Sequence, residues 1–203
     1  FVDDAGDIVV YGAYCNGTNR QGTIVKVFNS NGSFSSANCV MTSAEIVSGC
    51  YGFQGTVMKY FFATSDTFFV METNLPINSI LPTQIKKVVG ARDISLGYDY
   101  QNNKLIVTGS LDSNSVFLLV YNTNVATLNM FTTNVKYILP SNLIDSHTIA
   151  MSIGGNGYYC DSTAYIFQPL EVSNGSSIWL LKVNYLTGSV YESKLYSVSG
   201  TNH

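Results

Sequence analysis

Apolar residues recur along this chain at alternate positions or in short unbroken runs, and clusters of Asn, Gly, Ser and Asp separate one run from the next. That is the periodicity of β-strands and turns. No long stretch sustains apolar residues at i, i+3, i+4 and i+7, so no helix is predicted. The clearest unit spans residues 91–135, with four candidate strands A to D separated by turns at 98–103, 112–114 and 122–124. Its third strand, "VFLLVYN", ends at Asn122, and strands of the same outline end at Asn29 ("TIVKVFN"), Asn74 ("TFFVMETN") and Asn184 ("SIWLLKVN"). The spacings are 45, 48 and 62 residues. The first two fit a repeat of about 40 to 50 residues, and the third requires an insertion, for which the Gly/Tyr-rich segment 154–165 is the candidate.

Extending outwards from the C strands gives four units, about 1–43, 44–90, 91–140 and 141–203, within a single domain. The first unit shows no A strand. A four-stranded sheet that is apolar on both faces cannot cover itself, so neighbouring sheets are expected to stack face to face. This recurrence resembles the β-propeller superfamily over nearly the whole chain, although it has neither a WD dipeptide nor a Kelch double-glycine series. The resemblance implies an all-β, propeller-like array of four-stranded antiparallel blades. The alternative is a β-sandwich, single or tandem Ig-like, whose strands also recur at short intervals. The missing first strand is expected to come from further blades, from imperfect closure, or from an adjoining chain.

Composition narrows the setting. The 203 residues are 46% hydrophobic and 13% aromatic, which excludes a disordered chain. Only 11% are charged, with a net charge of -3, so neutral polar side chains must cover the surface. Lys86-Lys87 is the only basic cluster, and it gives no footprint for nucleic acid or an anionic membrane. No apolar run approaches the roughly 20 residues of a membrane-spanning helix. The chain opens on Phe1 with no signal-peptide pattern, so it is expected to begin after a processing site or inside a longer protein. Sequons at Asn16, Asn31 and Asn174, together with four cysteines, point to an extracytoplasmic glycoprotein. Each Asn-Gly pair also suits a hairpin turn.

Blade geometry places Cys15 and Cys39 on one rim and Cys50 and Cys160 on the other, which favours those two disulfides over the competing Cys39–Cys50 pair. Catalytic signals are sparse. His147 stands at a strand entry, and His203 is the last residue. Asp3, Asp4 and Asp7 flank a glycine but lack the ligand pattern of a calcium loop, and an exposed turn is the expected reading. No catalytic residue, metal or cofactor is assigned. Tyr51, Phe53, Tyr98, Tyr100, Tyr158 and Tyr159 all follow A strands and are expected to form an aromatic binding rim on one face.

In its low charge, abundant Tyr, Asn, Ser and Thr and few cysteines, the chain is similar to surface proteins of hyperthermophilic acidophilic archaea and to tail or spike proteins of their viruses. That resemblance implies a non-enzymatic structural module at a cell or virion surface, used for host attachment. Its implied partners are other structural proteins of the same particle or layer, host-surface glycans and copies of itself. The alternatives are a glycosidase on a propeller scaffold and a pilin-like filament subunit completed by strand donation.

Overall fold

The computed structural model describes residues 1–16, 19–27, 39–73, 82–112, 115–124, 129–138, 150–153, 162–172 and 175–199. Among them the chain is all-β, with four antiparallel sheets and no helix. Sheet 1 contains β1 (Ile8–Asn16), β2 (Asn19–Val27) and β3 (Cys39–Thr42). Sheet 2 contains β4 (Ser48–Gln54), β5 (Val57–Ala63), β6 (Thr67–Glu72) and β7 (Thr83–Lys87). Sheet 3 contains β8 (Arg92–Asp99), β9 (Lys104–Asp112), β10 (Ser115–Asn122) and β11 (Asn129–Ile138). Sheet 4 contains β12 (Ala150–Ile153), β13 (Thr163–Val172), β14 (Gly175–Asn184) and β15 (Val190–Ser199). In every sheet spatial order follows chain order, because each connection is a hairpin between antiparallel neighbours.

The sheets stack because their central strands are apolar on both faces. In β10 every residue from Ser115 to Tyr121 is buried. Val116, Leu118 and Val120 pack on Ala164, Ile166, Trp179, Leu181 and Val183 of sheet 4. The alternate residues Phe117, Leu119 and Tyr121 pack on Phe61, Ala63 and Phe68 of sheet 2. A third core joins Val9, Ile24 and Val40 of sheet 1 to Tyr60, Phe62 and Met71 of sheet 2. Each fully buried side chain of this size contributes about 1.5–3 kcal/mol, so three successive cores bind four sheets in chain order. The first strands β4, β8 and β12 lie side by side, with β8 in the middle.

Turn chemistry explains the asparagines that mark the repeat. Asn184 Oδ1 accepts from the backbone N–H groups of Leu186 and Thr187 at 2.9 and 3.1 Å, and Asn122 Oδ1 accepts from Asn124 N–H at 3.3 Å. These are Asx turns that stop the strand and turn the chain. Asn29 and Asn74 lie outside the described residues. Strand sidedness nevertheless shows that the first unit is out of phase. Ile24 and Lys26, which face sheet 2, lie at odd distances from Asn29, whereas Leu118 and Val120, which face sheet 4, lie at even distances from Asn122.

One further expectation for unit one holds and one is corrected. Among the described residues no first strand precedes β1, and the chain start is held instead by an isolated bridge of Val2 with Ile8, in which Phe1 N donates to Val9 O at 3.0 Å and Val9 N donates to Phe1 O at 2.9 Å. The Phe1 ring packs near Tyr11, Tyr51, Tyr60 and Phe62, which anchors the start of the chain in the core. The last strand of the unit does not end near Cys39 but runs on as β3 to Thr42, and Cys39 stands level with Val25 and Val10 while Cys15 stands at the far end of β1, opposite Arg20. Five residue rises and two strand spacings separate the two Cα atoms by roughly 19 Å, too far for a bridge. Cys50 is a free thiol, not bridged to Cys160, and burial pushes it up to about 12. Cys160 itself lies outside the described residues.

Close packing between the first strands depends on Gly52. A Cβ there would lie 2.2–2.5 Å from ring atoms of Tyr98, which is itself held on several sides. Gly52→Ala should therefore lower stability by about 1–3 kcal/mol, read as an earlier denaturation midpoint with an unchanged slope. An unchanged midpoint would show that β4 and β8 are not in this contact.

Candidate functional site

The turns between first and second strands join each unit to the next. At the start of the chain, Asp3 Oδ1 accepts from the backbone N–H groups of Ala5 and Asp7, each at 3.0 Å, which folds the acidic segment into an Asx turn. Its Oδ2 accepts from the Tyr60 hydroxyl of β5 and from Lys26 Nζ of β2. Lys26 also meets Asp7 at 3.0 Å and Thr73 O at 3.5 Å. The three carboxylates are thus distributed between a buried ion pair and turn contacts, and among the described residues no group of three metal-ligating side chains forms.

The same device recurs further along. Gly55 N, in the turn after β4, donates to Thr123 O after β10 at 2.7 Å. Asp99, wholly buried at the end of β8, accepts from Gln101 N, Asn102 N and Asn102 Nδ2 at 2.9, 3.2 and 2.7 Å, and from the hydroxyl of Tyr185 after β14. A buried carboxylate is tolerable only when its oxygens are filled in this way. Asp99 therefore serves as a joint between sheets 3 and 4.

The aromatic residues singled out in the sequence converge only in part. The Tyr51 and Tyr100 rings lie 5.3 Å apart across β4 and β8, and the Tyr100 and Tyr98 rings 5.0 Å apart. The Tyr100 hydroxyl donates to Tyr51 O at 3.1 Å, and the Tyr51 hydroxyl to Asp4 Oδ1 at 2.9 Å. Tyr51, Phe53 and Tyr100 are half-buried and keep part of their surface in solvent. Tyr98 is only 6% exposed. Its hydroxyl bonds Phe53 O at 2.9 Å and Thr123 Oγ1 at 2.7 Å, so it is a support beneath the other rings. Tyr158 and Tyr159 lie outside the described residues, as do Asn31, Asn174 and His147. Asn16 ends the β1 ladder opposite Asn19.

Burial raises the Tyr98 and Tyr100 hydroxyls above the ordinary phenol range, and the bond and charge of Tyr51 raise Tyr100 further. A cavity of about 280 Å³ opens elsewhere, between sheets 1 and 2, lined by Ile24, Ile46, Phe62 and Phe69 with Thr42 and Ser43 at its wall. None of Tyr51, Phe53, Tyr98 and Tyr100 lines it. The inter-unit acceptor roles of Asp3 and Asp99 were not visible from sequence, where the signal for Asp99 is only its place at the end of a first strand.

Compared with protein-family models, curated proteins and solved structures, the chain matches none.

Six tyrosines, Tyr11, Tyr60, Tyr98, Tyr100, Tyr121 and Tyr137, are shifted upward chiefly by burial, the last two to about 12. An unfolded tyrosine ionises near ~10, so the fold favours their protonated form. The contribution of these tyrosines to stability should be constant below about pH 10 and fall as pH rises beyond it, because the unfolded chain releases these protons first. Absorbance of tyrosinate followed together with circular dichroism should show these six, of 14 tyrosines in the chain, ionising only as the fold is lost. Ionisation of all of them in one step near ~10 with intact dichroism would contradict the burial described.

Proposed function

We propose that the chain is a non-enzymatic module of an extracellular or virion surface. In this reading it is a propeller-like stack of blades that assembles with neighbouring structural proteins and holds a glycan or protein partner on the aromatic edge of its first strands. Three successive cores between four sheets favour blades over a sandwich, which has one core between two sheets. The adjoining β4, β8 and β12 take the place of innermost blade strands.

The observation that carries recognition is the pairing of Tyr51 with Tyr100 across two sheets, with Phe53 on the same strand as Tyr51. Half-buried rings held by hydroxyl bonds offer flat apolar area at little entropic cost, which suits the faces of sugar rings. With few charges in the chain, such a contact would rely on stacking and hydroxyl bonds and depend weakly on salt. Glycans at Asn16, Asn31 and Asn174 would keep the remaining neutral surface soluble.

Binding of cell-envelope glycans to the immobilised chain is the test. Phe53→Ala and Tyr100→Ala should each weaken binding about tenfold, the equivalent of ~1.4 kcal/mol, while circular dichroism retains the β spectrum. Equal binding by both variants, or no glycan bound by the parent chain, would overturn the recognition role.

A further inference from the structure

Sheets 2, 3 and 4 each bury the face that meets the preceding sheet. The residues concerned are Tyr60 and Phe62 in sheet 2, Phe117 and Leu119 in sheet 3, and Trp179 and Leu181 in sheet 4. Among the described residues, sheet 1 has the same kind of face with no other sheet packed on it. Its core side is set by Val9, Ile24 and Val40, so alternation puts Ile8, Val10, Tyr14, Val25, Val27 and Met41 on the other side. The register pairs Ile8 with Val27 and Val10 with Val25, which makes a continuous aliphatic strip. Ile8, Val10, Tyr14 and Met41 are 47%, 54%, 50% and 45% exposed.

Sheet 4 has the opposite free end. Trp179, Leu181 and Val183 face sheet 3, so Ile178, Leu180 and Lys182 face outward, with Ile178 opposite Tyr196 and Lys182 opposite Glu192. Ile178 and Tyr196 are 40% and 49% exposed. The outward face of sheet 4 thus combines Ile178, Leu180 and Tyr196 with the charged Lys182, Glu192 and Lys194, whereas that of sheet 1 is an aliphatic strip, and exposed apolar surface of this kind signals an interaction surface.

We infer that the free face of sheet 1 receives the free face of sheet 4 from a second copy of the chain, so that copies join head to tail. The internal interfaces argue for this occupant: three times in the chain a sheet's forward face docks on the next sheet's rear face, and the two unused faces are one of each kind. This contact continues the stack by the rule that built it. Two different surfaces are used, so the contact is heterologous, and it closes into a ring or extends as a filament according to its rotation. The inference deepens the assembly part of the proposed function and rests on the stacked-blade reading. It does not involve the aromatic edge.

Sedimentation equilibrium on the full chain, with Val10→Lys blocking one face and Ile178→Lys the other, tests it. Both positions are solvent-exposed, so melting temperatures should match the parent. The parent chain should gain mass with concentration over about 10 to 100 μM, the range of a modest interface. Each variant alone should remain a monomer, and an equimolar mixture should form a two-chain species and nothing larger, because one intact face of each kind remains. A parent that stays monomeric overturns the inference, as does a variant that associates like the parent or a mixture that stays monomeric. A monomeric parent whose two variants both melt earlier shows instead that sheets 1 and 4 close on each other within one chain. Glycan binding measured on the same samples separates the readings: a parent chain that stays monomeric yet binds glycan rejects head-to-tail assembly alone, and a parent chain that associates without binding glycan rejects recognition alone.

Discussion

A strand that is apolar on both faces can be stable only between two other sheets, and β10 is such a strand. Its even-numbered residues commit sheet 3 to sheet 4 and its odd-numbered residues commit it to sheet 2. Everything else follows from that double commitment. Sheets 2 and 4 must present apolar faces to it, the first strands must run side by side, and the chain must progress through its sheets in order. The core is three layers of contact, each local to consecutive units, as in other repeat architectures.

Apolar stacking alone does not fix how one sheet is rotated on the next. Polar joints at the turns supply that direction. Asp3 with Tyr60, Gly55 with Thr123, and Asp99 with Tyr185 each link the first turn of one unit to the following unit. A misrotated sheet would take away the tyrosine hydroxyl that Asp3 or Asp99 accepts from the next sheet and leave the buried carboxylate with the donors of its own unit alone. Gly52 allows the approach of the strands on which Tyr51, Tyr98 and Tyr100 meet, so the candidate binding edge is a by-product of how two units are aligned.

Strand positions were legible because alternation and turn residues are local signals. Asn122 and Asn184 could be read as strand ends because their side chains cap the turn that follows. What lay beyond reach depended on pairing across the sheet. The Cys15 and Cys39 placement failed because the register of β3 on β2 is not written in either strand. The isolated bridge at Val2 is too short to give a pattern, yet the chain start is fixed by the hydrogen bonds between Phe1 and Val9. Tyr98 and Tyr100 look alike in sequence, but one is buried beneath Gly52 and the other is half-open, because they lie on opposite sides of the strand end.

The central claim is that polar joints orient each sheet on the next, and the Asp99–Tyr185 pair is the place to measure it. Asp99→Asn, Tyr185→Phe and the double variant, unfolded in urea, form a double-mutant cycle between sheets 3 and 4. The structure predicts a coupling of about 1–3 kcal/mol, as expected for a buried bond to a charged group. Additive effects, within about 0.3–0.5 kcal/mol, would mean that the two sheets are joined by apolar contact alone.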